Sequence, residues 1–493
     1  MKRLLQRIGI LFVIFIAAGA GYFYWMFNRT GESDTVYTSM EESELPVVYM
    51  NVLGREMNCL HGYVQEMDSA GLRDSLTVLP DDRNLDIRIA RCQGNVTGIY
   101  YEIRTLDQSR LLERTSVENW TEGENGTEAF LPIQNLLEQD QEYLLTLTVE
   151  TDVNGAVRYY TRIVWTDNTK VQQMVDLAAE FSAMTFQPEQ ASWIAPYLES
   201  DSTGNNSNLG RMNIHSSSAQ ITWGGLFVEP AGEVFVSLKE LNGDMASVTL
   251  EYLAIRRPPE DPEQVEYYEV EDSFTMRWGD PRIYMMDFER RTDQIFTGSQ
   301  DLFTGSRILL GITGADQLQA EKSPNGKIAA FVTNGDLWCF DQEERRAANV
   351  FSFRSSSERG IRPSYDQHAI GILDVADSGD VDFLVYGYMN RGVHEGCMGV
   401  AMYHYSSGSE ALEERFFAPV TESFERLQLD IQELAYLSTS GMLYIKVDNG
   451  IYAIDLSSGE YMIVAEGLAE GAYAISQDQT HLAWQEGSQI YQS

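Results

Sequence analysis

The pattern of apolar and polar residues divides the chain into an apolar N-terminal run, a region of short strands, one helix and a second strand-rich region. From Ile8 to Phe27 the residues are uncharged and almost wholly apolar. A helix of this length spans roughly 30 Å, which is the thickness of the hydrocarbon core of a bilayer. Residues 8–27 are therefore predicted to be a transmembrane anchor.

The charges that flank this run predict its orientation. Lys2, Arg3 and Arg7 precede it, whereas the segment after it is rich in Asp and Glu. Positive residues stay on the cytoplasmic side, so residues 1–7 form a cytoplasmic tip and the bulk of the chain is extracytoplasmic. A cleaved signal peptide is the alternative, because residues 18–20 are small, but the apolar run continues beyond them and favours the uncleaved anchor.

Residues 44–167, which follow a linker of residues 28–43, read as short strands separated by turn residues. Tyr143, Leu145, Leu147 and Val149 occupy alternate positions, with Leu144, Thr146 and Thr148 between them. Asn154-Gly155 then supplies a hairpin turn into another alternating strand. Regularly spaced short strands of this kind predict a β-sandwich.

One short segment of this region resembles a known structural feature. Leu137 precedes Tyr143 by six residues, and Leu145 and Leu147 follow it at alternate positions. The segment resembles the tyrosine corner of fibronectin type III and related immunoglobulin-like domains, in which the phenol hydrogen-bonds to the backbone upstream of its strand. The resemblance implies a spacer or binding module.

Residues 168–210 are predicted to connect this sandwich to the second strand-rich region. Asp167 or Asn168 can cap a helix, and apolar residues then recur at helical spacing at Val171, Met174, Val175, Ala178 and Phe181. A polar, turn-rich stretch from 198 to 208 follows and places a boundary near residue 210.

A turn-strand-turn sequence pattern recurs through residues 211–493. Its clearest copies begin at Asn334-Gly335 and at Asp448-Asn449-Gly450, and weaker copies lie near residues 283, 400 and 490. The stretch 323–331, which opens with Ser-Pro-Asn-Gly, resembles the blade-opening strands of TolB-like and YWTD-like β-propellers. The resemblance implies a β-propeller, the five copies of the pattern predict at least five blades, and the strands between Ile221 and Ile255 could supply a sixth.

The end of the chain leaves the completeness of this propeller open. The sequence stops at Ser493, directly after what would be the third strand of a blade. Either a strand from the start of the region completes the last blade, or the propeller is incomplete. The fold class predicted for the whole chain is mostly β, with an N-terminal transmembrane helix, an immunoglobulin-like or fibronectin-like sandwich, a short helical connector and a propeller.

Composition restricts the partners of this chain. Its 74 acidic residues outnumber its 35 basic residues, for a net charge of −39. Such a charge repels nucleic acid phosphates, so nucleic acid is not expected as a partner. Solubility of an exported surface explains the acidity, and attraction of cations or basic partners is the alternative.

The four cysteines show no metal-binding or redox spacing. An extracytoplasmic location permits disulfides, and Cys59 with Cys92 would bridge two strands of one domain. The alternative is that all four remain thiols.

Two loops carry candidate ligand residues. Asp374, Ser378 and Asp382 lie in a segment that resembles the calcium loops of integrin-type repeats and EF-hands, although Ala376 replaces one oxygen ligand, and a tight turn is the alternative. Residues 390–396 form a polar insertion in which Arg391, His394 and Glu395 are candidates for an anionic or sugar ligand. No other cofactor is indicated, because the sequence has no HExxH, GxSxG or phosphate-binding glycine loop.

The functional expectation follows from the architecture. The chain is expected to be a membrane-anchored extracytoplasmic binding or scaffold protein of the cell envelope, whose propeller presents a surface to a protein or glycan partner. The alternative is a propeller-type hydrolase or lyase acting on cell-surface polymers, with carboxylates that converge from distant parts of the sequence.

Overall fold

The computed structural model of the chain describes residues 36–37, 40–90, 93–204, 206–259, 264–299, 302–304, 307–315, 317–354, 364–467, 471–476 and 481–492. This part is mostly β, in several mainly antiparallel sheets. Within it, no helix combines the length and the apolar character that crossing a bilayer requires. The predicted anchor at 8–27 lies outside the described residues and stays a prediction.

A two-sheet sandwich comes first. Its strands, and one short strand before them, are β1 (Val36–Tyr37), β2 (Val48–Val52), β3 (Arg55–Leu60), β4 (Leu76–Val78), β5 (Asn84–Ala90), β6 (Val96–Thr105), β7 (Leu111–Ser116), β8 (Trp120–Gly123), β9 (Gly126–Pro132), β10 (Glu142–Thr151) and β11 (Gly155–Val164). The sheets have the orders β3-β2-β5-β9-β8 and β4-β11-β10-β6-β7. Buried residues from both sheets share one hydrophobic core.

The predicted hairpin and the predicted tyrosine contact are both present in this sandwich. β10 and β11 pair in register from Glu142 opposite Val164 to Thr151 opposite Gly155. The hydroxyl of Tyr143 accepts a hydrogen bond from the backbone N–H of Glu138 at 3.1 Å. This bond fixes the chain at the entrance to β10.

Helix α1 (Asn168–Thr185) connects the sandwich to the next sheet, and its apolar stripe is buried as predicted. Asp167 is its N-cap, because its carboxylate accepts a hydrogen bond from the N–H of Thr169 at 3.0 Å. Two short helices follow, α2 (Ala191–Ile194) and α3 (Ser218–Ile221). Helix α1 packs on two strands of a long antiparallel meander, and the sandwich, the helix and one face of that meander form one continuous core.

This meander has the order β12-β16-β15-β14-β13. Its strands are β12 (Arg211–Asn213), β13 (Val228–Asn242), β14 (Met245–Arg256), β15 (Glu266–Arg277) and β16 (Tyr284–Gln294). We refer to it as the long meander.

The remaining strands form smaller consecutive sheets. They are β17 (Phe303–Thr304), β18 (Arg307–Ile308), β19 (Ala320–Lys322), β20 (Ile328–Thr333), β21 (Asp336–Asp341), β22 (Arg346–Phe351), β23 (His368–Val375), β24 (Val381–Tyr388), β25 (Met398–Ser406), β26 (Ala411–Pro419), β27 (Ala435–Leu437), β28 (Met442–Val447), β29 (Gly450–Asp455), β30 (Tyr461–Glu466), β31 (Tyr473–Ile475), β32 (Leu482–Glu486) and β33 (Gln489–Gln492). A further helix, α4 (Phe424–Glu433), lies between the sheets of β24 and β28.

These sheets are arranged like successive propeller blades. β19–β22, β23–β26 and β27–β30 are four-stranded meanders, and β31–β33 is a three-stranded one. The first strand β23 contacts both β19 and β27, the first strands of the neighbouring sheets. Separate hydrophobic clusters join each sheet to the next. Leu482 and Trp484 of β32 belong to the cluster that joins β31–β33 to β27–β30, and β1 pairs in parallel with β22.

Candidate functional site

A cavity of about 920 Å³ lies where the sandwich, the long meander and the segments around β21 and β23 meet. Its wall comes from regions that are far apart in sequence, including His61 and Asp74 from the sandwich, Glu251 from the long meander, and Arg354 and Tyr365 from the later segments. A volume of this size suits a small organic ligand.

The floor of the cavity is one face of the long meander. Because side chains alternate across a strand, Leu250 and Tyr252 of β14 point into the common core while Glu251 points the other way. In β15, Val270 lies on the core face and Glu271 on the cavity face. The meander therefore has an apolar face that holds α1 and a charged face that lines the cavity.

Cross-strand pairing aligns the charged face in a row. Glu251 lies opposite Phe235 of β13 on one side and opposite Glu271 of β15 on the other, and Glu271 lies opposite Arg291 of β16. Like charges directly opposite each other destabilise a sheet. The pairing is interrupted between Leu238 and Glu240, further along β13 from Phe235, and the intervening Lys239 also lines the cavity.

Asp366 joins the two glutamates of this row to form a cluster of three carboxylates. Oxygens of Glu251, Glu271 and Asp366 lie within 4.8 Å of one another, and Asp74 on the sandwich side accepts a hydrogen bond from the Tyr365 hydroxyl at 3.0 Å. Burial, followed by the charge of Asp366, raises the pKa of Glu251 to about 7. Burial is also the main reason that the pKa values of Glu271 and Asp74 are raised. Proton exchange near neutral pH is therefore available at this cluster.

Lys239 supplies positive charge to this cluster. Burial lowers the pKa of its ammonium, but the charges of Glu251, Asp74 and Asp366 raise it, and the net shift is upward. Lys239 therefore remains a cation at neutral pH. The three-carboxylate spacing also fits oxygen ligands of a shared divalent cation, but the ammonium of Lys239 repels one.

A separate ion-pair network borders the cavity. The guanidinium of Arg354 donates to both oxygens of Glu269 at 2.9 and 2.6 Å and to Asp336 at 2.9 Å. The Ser352 hydroxyl also donates to Asp336 at 2.6 Å. This network joins the long meander to the first residue of β21 and to the segment after β22, and its carboxylates are already paired with a cation.

Aromatic side chains form another part of the wall. The rings of His61 and Tyr365 stack with centroids 3.8 Å apart, and Tyr388 meets Tyr365 edge to face at 5.1 Å. Tyr49 and Phe235, which also line the cavity, stack with ring centroids 6.4 Å apart. The cavity thus combines aromatic faces with an excess of carboxylates.

The structure gives Arg391 and Glu395 contacts with the backbone that leads into the sandwich. Arg391 is buried, and its guanidinium donates to the carbonyls of Met40 and Glu41 at 3.1 and 2.6 Å and to that of Phe353 at 3.2 Å. The Glu395 carboxylate accepts hydrogen bonds from the N–H groups of residues 44 and 45 at 2.7 and 2.9 Å. We call this set of contacts the clasp.

His394 points away from the clasp. It stacks on Phe417 with ring centroids 3.6 Å apart and shares a hydrogen bond of 2.8 Å with Glu414. The insertion therefore does not bring Arg391, His394 and Glu395 together around one space, and none of them lines the large cavity. Ligand binding by these three residues stays a prediction.

The candidate calcium residues lie at a β-hairpin. Asp374 and Asp382 are paired across β23 and β24, and Asp382 shares a hydrogen bond of 2.8 Å with His404. Ser378 donates to Asp380 in the connecting turn at 2.8 Å. These contacts are those of a hairpin turn, and calcium binding here stays a prediction. The disulfide predicted for Cys59 involves Cys92, which lies outside the described residues.

The cavity residues were not recognised as site residues from the sequence. Glu251 lies between Leu250 and Tyr252, and Glu271 follows Val270, which is close to the pattern of any strand with one face in water. The feature that could mark a site is the pairing of two like charges on neighbouring strands. It is visible only when the register is known, because the register places Glu251 opposite Glu271. Asp74 and Asp366 are separated from them by long stretches of chain.

Comparisons with known proteins leave the family of this chain open, since no family model and no curated protein matches it. Among solved structures, an oligogalacturonate lyase in complex with manganese has a TM-score of 0.24 at 9% identity, over 50% of this chain and 63% of that one. The tricorn protease has a TM-score of 0.20 at 11% identity, over 92% of this chain and 37% of that one.

A structural genomics protein of unknown function from Bacteroides thetaiotaomicron has a TM-score of 0.19 at 9% identity, over 84% of this chain and 88% of that one. This chain thus spans less than two thirds of the lyase and of the protease. Scores this low carry no inference about fold or function.

Proposed function

We propose that this chain is a membrane-anchored extracytoplasmic binding or scaffold protein of the cell envelope, with a fibronectin type III-like sandwich and a propeller that together enclose a ligand-binding cavity. The cavity of about 920 Å³ carries this proposal. It is lined by polar and aromatic groups from several parts of the fold, as small-molecule sites commonly are. The outer faces of the propeller sheets would contact a protein or glycan partner of the envelope.

Filling the cavity tests this proposal. Ser237 lines the cavity on β13, so Ser237→Trp places a bulky ring inside it. Ser409, on the exposed turn between β25 and β26, gives the matched control Ser409→Trp. Ligand-observed NMR against cationic, anionic and neutral sugar-like compounds is expected to show binding to the wild type and Ser409→Trp that Ser237→Trp loses. Absence of binding, or equal binding by Ser237→Trp, would contradict the proposal.

The anchor has its own test. Alkaline extraction of membranes is expected to leave the full chain in the pellet and to release a variant that lacks residues 8–27. Release of the full chain, or retention of the shortened one, would remove the anchor from the proposal. Crosslinking in the native membrane then identifies the envelope partner.

A hydrolase or lyase acting on cell-surface polymers is the second candidate, and the carboxylate cluster favours it. A group such as Glu251, with a pKa of about 7, can donate a proton to a leaving group while a neighbouring carboxylate remains ionised. Assays on a glycan library with the wild type, Glu251→Gln and the exposed control Glu229→Gln test this candidate. Cleavage that only Glu251→Gln loses would support an enzyme, and the absence of cleavage would count against one.

A further inference from the structure

The charge balance of the cavity shows which of its carboxylates lack a dedicated cation. Glu269 and Asp336 are bound by Arg354, and Asp293 accepts from Arg291 at 3.0 Å. Glu233 also lines the cavity, and its charge acts on Arg88. After these groups are set aside, four further carboxylates face a single ammonium, that of Lys239. They are Asp74, Glu251, Glu271 and Asp366.

Lys239 itself shows what kind of cation this space accepts. Its ammonium is largely enclosed by protein and, among the described residues, donates no side-chain hydrogen bond, although the carboxylates surround it. An ammonium group on a flexible alkyl stem is thus already accommodated in the cavity. One such group does not offset four carboxylates.

The aromatic wall adds a second form of recognition. Phe235 lies directly opposite Glu251 across β13 and β14, and its ring stacks with that of Tyr49. Both rings line the cavity. An apolar stem can pack on these faces while its charged end reaches the carboxylates, and aromatic faces attract cations as well.

We propose that the cavity binds a small aliphatic amine, with its ammonium among Glu251, Glu271 and Asp366 and its alkyl chain against Phe235 and Tyr49. This inference rests on the proposed function and names the ligand class of the same cavity. The amine can be a free polyamine or an amine carried by a sugar, because the chemistry of recognition is the same.

Calorimetric titration of the full chain in detergent tests this inference. The probes are 1,5-diaminopentane, its diacetylated form, glucosamine and calcium chloride, all at one ionic strength. Binding is expected for 1,5-diaminopentane or glucosamine, which identifies the source of the amine, and not for the diacetylated form, which carries no charge.

Three variants locate the site. Glu251→Gln and Glu271→Gln are expected to weaken amine binding at least about tenfold, because each removes a charge-assisted contact. Glu229→Gln, on the same sheet but with an exposed side chain ion-paired to Arg257, is the matched control and is expected to bind as the wild type does. Lys239→Met is expected to bind the amine at least about threefold more tightly, because the internal competitor is gone.

The outcomes separate this inference from the proposed function. Equal binding of the charged and diacetylated probes, or unchanged affinity in both Gln variants, would overturn amine recognition. If calcium is the only probe that binds, and Glu271→Gln abolishes its binding, the cluster is a metal site. Amine recognition is then wrong, and the cavity remains a binding site. If Ser237→Trp removes the binding of neutral or anionic compounds only, the amine is wrong and the proposed function stands.

Discussion

At the scale of single residues, the protonation of Glu251 couples the cavity to the stability of the fold. Asp366, Lys239, Glu271 and Asp74 face it, and burial is the main cause of its raised pKa. The folded-state value of about 7 lies above the ordinary 4.5, so between these values the folded state binds the proton more tightly than the unfolded chain. Protonation of Glu251 therefore stabilises the folded state fully below about pH 4.5. This stabilisation, up to about 3 kcal/mol, is lost as the pH rises through about 7.

Glu251→Gln is therefore expected to remove this part of the pH dependence. Urea unfolding at pH 5, 6, 7 and 8 should show that the variant gains stability relative to the wild type as the pH rises. Glu229→Gln, on the exposed part of β13, should follow the wild type at every pH. A constant difference between Glu251→Gln and the wild type across this range would contradict the expectation.

Arg290 and Arg291 are adjacent on β16 and lie on opposite faces of the strand, so the effects of removing each on stability can be compared directly. Arg290 is fully buried and donates to both oxygens of Asp272 at 2.6 and 2.7 Å and to Thr185 of α1 at 2.9 Å. Arg290→Met leaves Asp272 as a buried carboxylate without its cation. The free energy of unfolding, measured with urea, is therefore expected to fall by about 3–5 kcal/mol. Arg291→Met removes a guanidinium that is 57% exposed, and its partner Asp293 keeps the hydrogen bonds from Thr313 and Gly314, so the stability should change by less than about 1 kcal/mol.

At the scale of elements, the clasp fixes the chain where it enters the sandwich. Glu395→Gln weakens the acceptor for the N–H groups of residues 44 and 45, so hydrogen exchange at both amides is expected to accelerate roughly tenfold, which corresponds to a loss of about 1.4 kcal/mol. His394→Gln is the matched control, because His394 contacts Glu414 and Phe417 instead. Equal exchange in the two variants would show that the carboxylate does not hold this segment.

The elements differ in how far the sequence predicts them. Asn334-Gly335 and Asp448-Asn449 form the predicted turns, with positive φ at all four residues, because the residues themselves favour that conformation. The apolar stripe of α1 was likewise readable from its spacing. Such features depend on neighbouring residues only.

The roles of the clasp and the cavity depend instead on distant residues. Glu395 bonds to backbone about 350 positions earlier in the chain, and nothing in its own loop indicates this partner. The cavity requires the register of β14 and β15, together with the placement of Asp74 and Asp366. Local patterns predict charged strand faces, and only tertiary packing encloses one of them.

At the scale of the whole molecule, the distribution of hydrophobic cores predicts how the chain unfolds. The sandwich, α1 and the long meander share one core, which includes Leu147 of β10 and Phe274 of β15. Leu482 of β32 belongs to a separate cluster that joins the last two sheets. A boundary near residue 210, which the sequence favours, would make β10 and β15 independent, whereas a common core makes them unfold together.

Truncations in the two cores distinguish these possibilities through native-state hydrogen exchange. Leu147→Ala is expected to lower the opening free energy of β10 amides by about 2–5 kcal/mol and that of β15 amides by the same amount, because both open with one core. Phe274→Ala should produce the reciprocal effect, and Leu482→Ala should affect β31–β33 without reaching β15. If Leu147→Ala leaves β15 unchanged, the sandwich and the long meander are separate folding units, and a ligand in the cavity between them would then couple two domains that otherwise unfold independently.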